Sequence, residues 1–177
     1  PQAVSGCEAL ILFAGRLAPV KGVDVLLSAW AEVIRERPNA RLVLLGSKEA
    51  VDYEGMAKAL GIQDTVAWAG YKKDIRPWLA AADLLVMPSR TEGAGLAALE
   101  AMAMGRAVVA SRAGGIPEYV RDNDCGLLVE PENPGALARA LLRLIANPDE
   151  RARMGQAGRR RAFSEFSLAA SARTLIS

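Results

Sequence analysis

The chain has 177 residues, 51% of them hydrophobic and 24% charged, which suits one domain with an ordinary core and excludes disorder and low complexity. Lys and Arg number 22 against 20 Asp and Glu, and this net +2, with an aromatic share of 5%, supplies neither the basic footprint nor the stacking surface of a nucleic-acid binder. No apolar run approaches the roughly 20 residues of a membrane span, and no basic-then-apolar leader is expected at the start.

Ala9 to Ala14 is a continuous apolar run that closes on Gly15, the pattern of a buried strand. From Val23 to Arg37 the residues Val25, Leu26, Ala29, Trp30, Val33 and Ile34 share one helical face, and Pro38-Asn39 ends the helix. Arg41 to Leu45 is a second strand before Gly46; Asp52 to Leu60 is a helix closed by Gly61; Val66 to Ala69 is a third strand. Ile75 to Ala82 forms a short helix with Pro77 in its first turn, followed by a strand at Leu84 to Met87. A helix is expected at Ala94 to Met104, a strand at Ala107 to Ala110 and a helix at Pro117 to Arg121. The last strand falls at Leu127 to Val129 and the next helix at Pro134 to Ala146. From 149 to 177 the arginines cluster around Phe163, Phe166 and Leu168. That segment reads as a solvated helix with a docking turn, or as a segment that leaves this domain to pack on another.

Six apolar strands interleaved with helices require parallel crossovers, so the expected fold is an α/β, doubly wound, Rossmann-like six-stranded sheet with helices on both faces. Residues 1–177 form one domain in this reading, and its ligand belongs at the carboxyl ends of the strands. Histidine is absent, which removes Ser-His and Cys-His pairs and any imidazole base or ligand from this chain. The two cysteines, Cys7 and Cys125, make neither a zinc site nor a disulfide framework, so no metal and a reducing, cytoplasmic setting are expected.

Three loops carry candidate chemistry. After the first strand come Gly15-Arg16-Leu17 and then Lys21-Gly22, a tight turn with two cations beside a helix start, suited to a diphosphate. It is neither a dinucleotide fingerprint nor a P-loop. After the fourth strand, Pro88-Ser89-Arg90-Thr91-Glu92-Gly93-Ala94-Gly95-Leu96 leads into a helix that carries Glu100. Amides near Ala94, Gly95 and Leu96 can face an anion, and Glu92 and Glu100, roughly 10 Å apart along a helix, can reach two ends of one elongated ligand. A carboxylate accepts hydrogen bonds from neighbouring hydroxyls, as in ribose or hexose. After the fifth strand, Gly114-Gly115-Ile116-Pro117-Glu118 is a turn into a short helix.

Together with Ala101-Met102-Ala103 and Gly105, these motifs resemble the C-terminal domain of family 4 glycosyltransferases (glycosyl transferases group 1), retaining enzymes of the GT-B fold. The resemblance runs from about Ala9 to Phe166. It implies that this domain binds a nucleotide-diphosphate sugar and no further cofactor. It implies catalytic roles for Arg16, Lys21 and Glu92, the two cations on the diphosphate and Glu92 on the sugar hydroxyls. Gly15, Gly93, Ala94, Gly95 and Leu96 would border the donor, Glu100 would hold the ribose, and Tyr71 would lie near the base. By this division Glu92→Gln is expected to spare the bare nucleotide. The sequence departs from the family at Ala94, where Phe is frequent, and lacks the histidine that many members carry in their N-terminal half. The acceptor domain, any membrane-surface contact and sugar transfer itself are therefore expected to depend on an N-terminal domain outside this chain. A non-catalytic nucleotide or phosphoryl-ligand module, and half of a sugar-nucleotide epimerase, remain the alternatives.

Overall fold

In the computed structural model, which describes residues 6–93 and 95–166, six strands form one sheet. They are β1 (Leu10–Ala14), β2 (Arg41–Leu45), β3 (Val66–Gly70), β4 (Leu84–Met87), β5 (Ala107–Ser111) and β6 (Gly126–Val129). All neighbouring pairs are parallel and their order is β3-β2-β1-β4-β5-β6. This is the expected doubly wound order, with its switch point between β1 and β4, where the crossovers depart in opposite directions and open a crevice at the strands' carboxyl ends.

The helices are α1 (Val23–Glu36), α2 (Tyr53–Ala59), α3 (Arg76–Ala81), α4 (Leu96–Ala103), α5 (Ile116–Tyr119), α6 (Pro134–Ala146) and α7 (Pro148–Glu165). Strand residues alternate between two cores. Ile11, Phe13, Leu42, Leu44, Val86 and Val109 pack against α1, α2 and α6. Leu10, Leu12, Val43, Leu45, Met87 and Val108 pack against α3, α4, α5 and the Ala162 turn of α7. Burial on both faces is why the strands read as unbroken apolar runs.

Several boundaries differ from the sequence expectation. α4 begins at Leu96, two residues later than expected, because Gly95 stands outside the helix at φ 60° as its N-cap. α5 starts at Ile116, with Pro117 within its first turn, and ends at Tyr119 because Val120 is extended. β3, β5 and β6 each gain one residue, and short 3-10 turns at Pro19–Lys21 and Gln63–Thr65 were not foreseen. α7 is neither solvated all round nor detached. Met154, Gly155, Gly158 and Ala162 are buried, and the helix lies on α4 and β5. A side chain at Gly155 would stand 2.1 Å from the Gly105 carbonyl oxygen, so glycine permits that close approach. Asp83 ties both ends of this packing, accepting from the Leu10 amide at 2.7 Å and from Arg151 at 3.0 Å. Leu168 and the expected docking turn lie outside the described residues.

Candidate functional site

The crevice is built by three loops held in register. The β1–α1 loop ends in the Pro19–Lys21 turn, and Gly22, at φ 66°, caps α1. A Cβ on Gly22 would fall 2.0 Å from the Pro88 carbonyl oxygen, so only glycine lets the β4–α4 loop approach this closely. The carbonyl of Val20 accepts from the Arg90 amide at 2.9 Å. On the other side Gly114, at φ 51°, stands where a Cβ would fall 1.6 Å from the Glu92 carbonyl oxygen. The Gly115 amide donates to the Gly93 carbonyl at 3.1 Å.

Arg90 fastens the loops together. Its guanidinium donates to both Asp24 oxygens at 2.8 and 2.7 Å, to Glu132 at 2.9 Å, and to the Pro19 carbonyl. The Arg90 hydrogen bond holds the Asp24 carboxyl below the usual aspartate range despite partial burial, and the paired carboxylates raise the Arg90 guanidinium further. One side chain thus joins the loops after β1, β4 and β6.

At the crevice Lys21 and Glu92 meet. Nζ of Lys21 donates to Oε1 and Oε2 of Glu92 at 2.7 Å each, and the buried Ser89 hydroxyl donates to Oε2 at 3.1 Å. A cavity of about 950 Å³ opens over the ends of β1, β2 and β3, and neither Lys21 nor Glu92 lines it. Ala14, Gly15 and Arg16 form one wall, Leu45, Gly46 and Ser47 the floor, Tyr71 to Arg76 the far wall, and Ala97 and Glu100 of α4 the near one. Its volume suits a nucleoside-sized ligand. Arg16, one of the lining residues, pairs with Glu49 at 3.1 Å. Arg76 grips Asp74 through two bonds of 2.8 Å, which hold the Asp74 carboxyl at about 2. The ammonium of Lys72 lies 5.7 Å from the Trp78 ring centroid, within cation–π range.

The expected site residues therefore divide. Gly15, Arg16, Tyr71 and Glu100 line the cavity, while Lys21 and Glu92 stand outside its lining and pair with each other. Gly93, Gly95 and Leu96 connect the two regions along the chain, with the Leu96 side chain exposed at the start of α4. Ala94 lies outside the described residues. Sequence reasoning missed Asp24, Glu49, Asp74, Arg76 and the clamping role of Arg90. Only Arg90 carried a signal, its place inside the Pro88–Glu92 motif.

A doubly wound sheet with cations, carboxylates and a nucleoside-sized cavity among the loops at its strands' carboxyl ends has the layout of an α/β ligand-binding domain. Residues 2–161 match the family model described as "Glycosyl transferases group 1", and the chain belongs to that family. It is 41% identical over 170 residues to the D-inositol 3-phosphate glycosyltransferase of Streptomyces coelicolor, covering 89% of this chain and 37% of that protein. Among solved structures it is similar to HepE from Anabaena in complex with UDP, with TM-score 0.87 and 26% identity over 99% of this chain and 49% of the other. It is also similar to the C-terminal domain of a glycosyl transferase group 1 family protein, LpcC from Francisella tularensis, with TM-score 0.85 and 29% identity over 94% of this chain and 92% of that one. The family resemblance and the Rossmann-like fold of the GT-B C-terminal domain are borne out. The chain spans little more than a third of the Streptomyces coelicolor relative's length.

Proposed function

We propose that this chain binds the nucleotide-diphosphate-sugar donor of a retaining glycosyltransferase whose acceptor sits on an N-terminal domain of the same protein. The observation that carries the reading is that the segments after β1 and β4 supply both the Lys21–Glu92 pair and, through Gly15, Arg16, Ala97 and Glu100, part of the lining of the 950 Å³ cavity. In this reading the nucleoside fills the cavity, with its ribose hydroxyls on Glu100 and its base towards Tyr71. Arg16 and Lys21 hold the diphosphate, and Glu92 holds hydroxyls of the sugar. The amides from Gly93 to Leu96 border the sugar and phosphate.

The chemistry is electrostatic and positional. As the bond from sugar to diphosphate breaks, negative charge grows on the leaving group, and Arg16 and Lys21 offset it without a divalent cation. Retention of configuration, metal independence and a cytoplasmic setting complete the proposal. Among the described residues no helix is long and apolar enough to cross a membrane. Sugar transfer requires the second wall of the cleft, because positioning of two reactants contributes about 7–11 kcal/mol and the acceptor has no site here.

The test is calorimetric titration of the chain with UDP, the nucleotide bound in the HepE structure. Arg16→Ala and Lys21→Ala should each lose about 1.5–3 kcal/mol of affinity, the range for hydrogen bonds to charged groups. Unchanged affinity in both variants overturns the reading.

A further inference from the structure

Two of the groups assigned to the donor are paired with each other. Lys21 places two of its three N–H donors on Glu92, at 2.7 Å to each oxygen, and the two side chains are only 19% and 11% exposed. An arriving diphosphate meets a nearly neutral pair rather than a free cation, and water screens little at such depth. Ser89 also donates to Oε2, the oxygen that accepts from Lys21 at the same time. Arg16 repeats the arrangement with Glu49 in a more exposed position, 64% and 41% open. Of the two pairs, the shielded one is expected to matter more.

We infer that Glu92 competes with the diphosphate for Lys21, so that the site holds an intact nucleotide sugar better than the nucleoside diphosphate left after transfer. This inference rests on the donor-binding reading above. With a nucleotide sugar bound, the sugar hydroxyls donate to Glu92 in place of the Lys21 N–H groups, and the ammonium turns to the phosphates. Once the sugar has left, Glu92 has lost those donors and reclaims Lys21, which loosens the product. The pair therefore favours release at the step when release is needed. It also reverses the expectation that Glu92→Gln spares the bare nucleotide.

The experiment is a double-mutant cycle read by calorimetric titration with UDP on wild type, Glu92→Gln, Lys21→Ala and the double variant. Glu92→Gln should bind UDP about three- to tenfold tighter, the worth of a partly shielded ion pair. Lys21→Ala should bind it more weakly, and adding Glu92→Gln to Lys21→Ala should give a smaller gain than it gives in wild type, because only the loss of repulsion remains. Glu92→Ala should show the same gain as Glu92→Gln, which keeps the test open if either variant folds poorly. Unchanged or weaker UDP binding in both Glu92 variants, with Lys21→Ala still weakened, refutes the competition and leaves the donor reading standing. An equal gain in the Lys21→Ala background also refutes it, because the effect would then be general repulsion. Full UDP affinity in both Lys21→Ala and Arg16→Ala strikes at the donor reading itself.

Discussion

Replacing Arg90 by Ala removes four contacts from one side chain: two to Asp24, one to Glu132 and one to the Pro19 carbonyl. The Glu132 contact is worth little, because that carboxylate is 67% exposed and water screens it. The Asp24 fork is the larger share, with side chains 28% and 38% exposed, between the open and the buried regimes. Exposed pairs contribute about 0.2–1 kcal/mol and buried charged hydrogen bonds about 1.5–3, so a loss of about 1–2 kcal/mol is expected. For a chain of this size that lowers the thermal midpoint by roughly 2–8 °C.

The sign of the pH dependence follows from the lowered Asp24 carboxyl. A group whose folded pKa lies below its unfolded value stabilises above the unfolded pKa and loses that contribution as pH falls through the folded one. The difference between wild type and Arg90→Ala should therefore be full at neutral pH and shrink below about pH 4, where an ordinary aspartate takes up its proton. Thermal melts of both proteins at pH 7 and at the lowest pH they tolerate measure it. Arg90→Lys should recover only part of the loss, since an ammonium cannot form the fork. A gap that is constant with pH, or a lysine variant as stable as wild type, refutes the assignment of the effect to the Arg90–Asp24 pair.

Gly22→Ala and Gly114→Ala should each cost at least about 2 kcal/mol by denaturant unfolding, because a Cβ would strike the Pro88 and Glu92 carbonyls on a left-handed backbone. Gly61→Ala, with the same backbone hand but open space around it, should cost only about 1 kcal/mol. Glu100→Gln should weaken UDP and UDP-glucose alike in calorimetry, since both carry the ribose assigned to Glu100. The Asp74 carboxyl should titrate near 2 by NMR and return towards the ordinary aspartate range in Arg76→Ala.

The fold was legible because its two-sided burial is written into the strands. Leu10 and Leu12 belong to one core and Ile11 and Phe13 to the other, so β1 has no polar position to interrupt the run. Once the strands alternate with helices, connection rules call for parallel pairing with helices on both faces, whereas the strand order that puts the crevice between β1 and β4 is read from the fold. Helix ends were less legible, because the start of α4 depends on the left-handed turn at Gly95 rather than on any apolar period. In the site, residue types and loop positions were readable, but their pairings were not. Lys21 and Glu92 are 71 positions apart, Arg90 and Asp24 are 66, and Arg16 and Glu49 are 33. A sequence presents such charges as groups waiting for a ligand, whereas a fold without ligand must satisfy them internally. Carboxylates brought in by neighbouring loops do so at the strand ends, and under the donor-binding reading each internal pair would set a threshold for the diphosphate. In the donor-binding reading, affinity at this crevice depends as much on what Glu92 and Glu49 release as on what Lys21 and Arg16 supply.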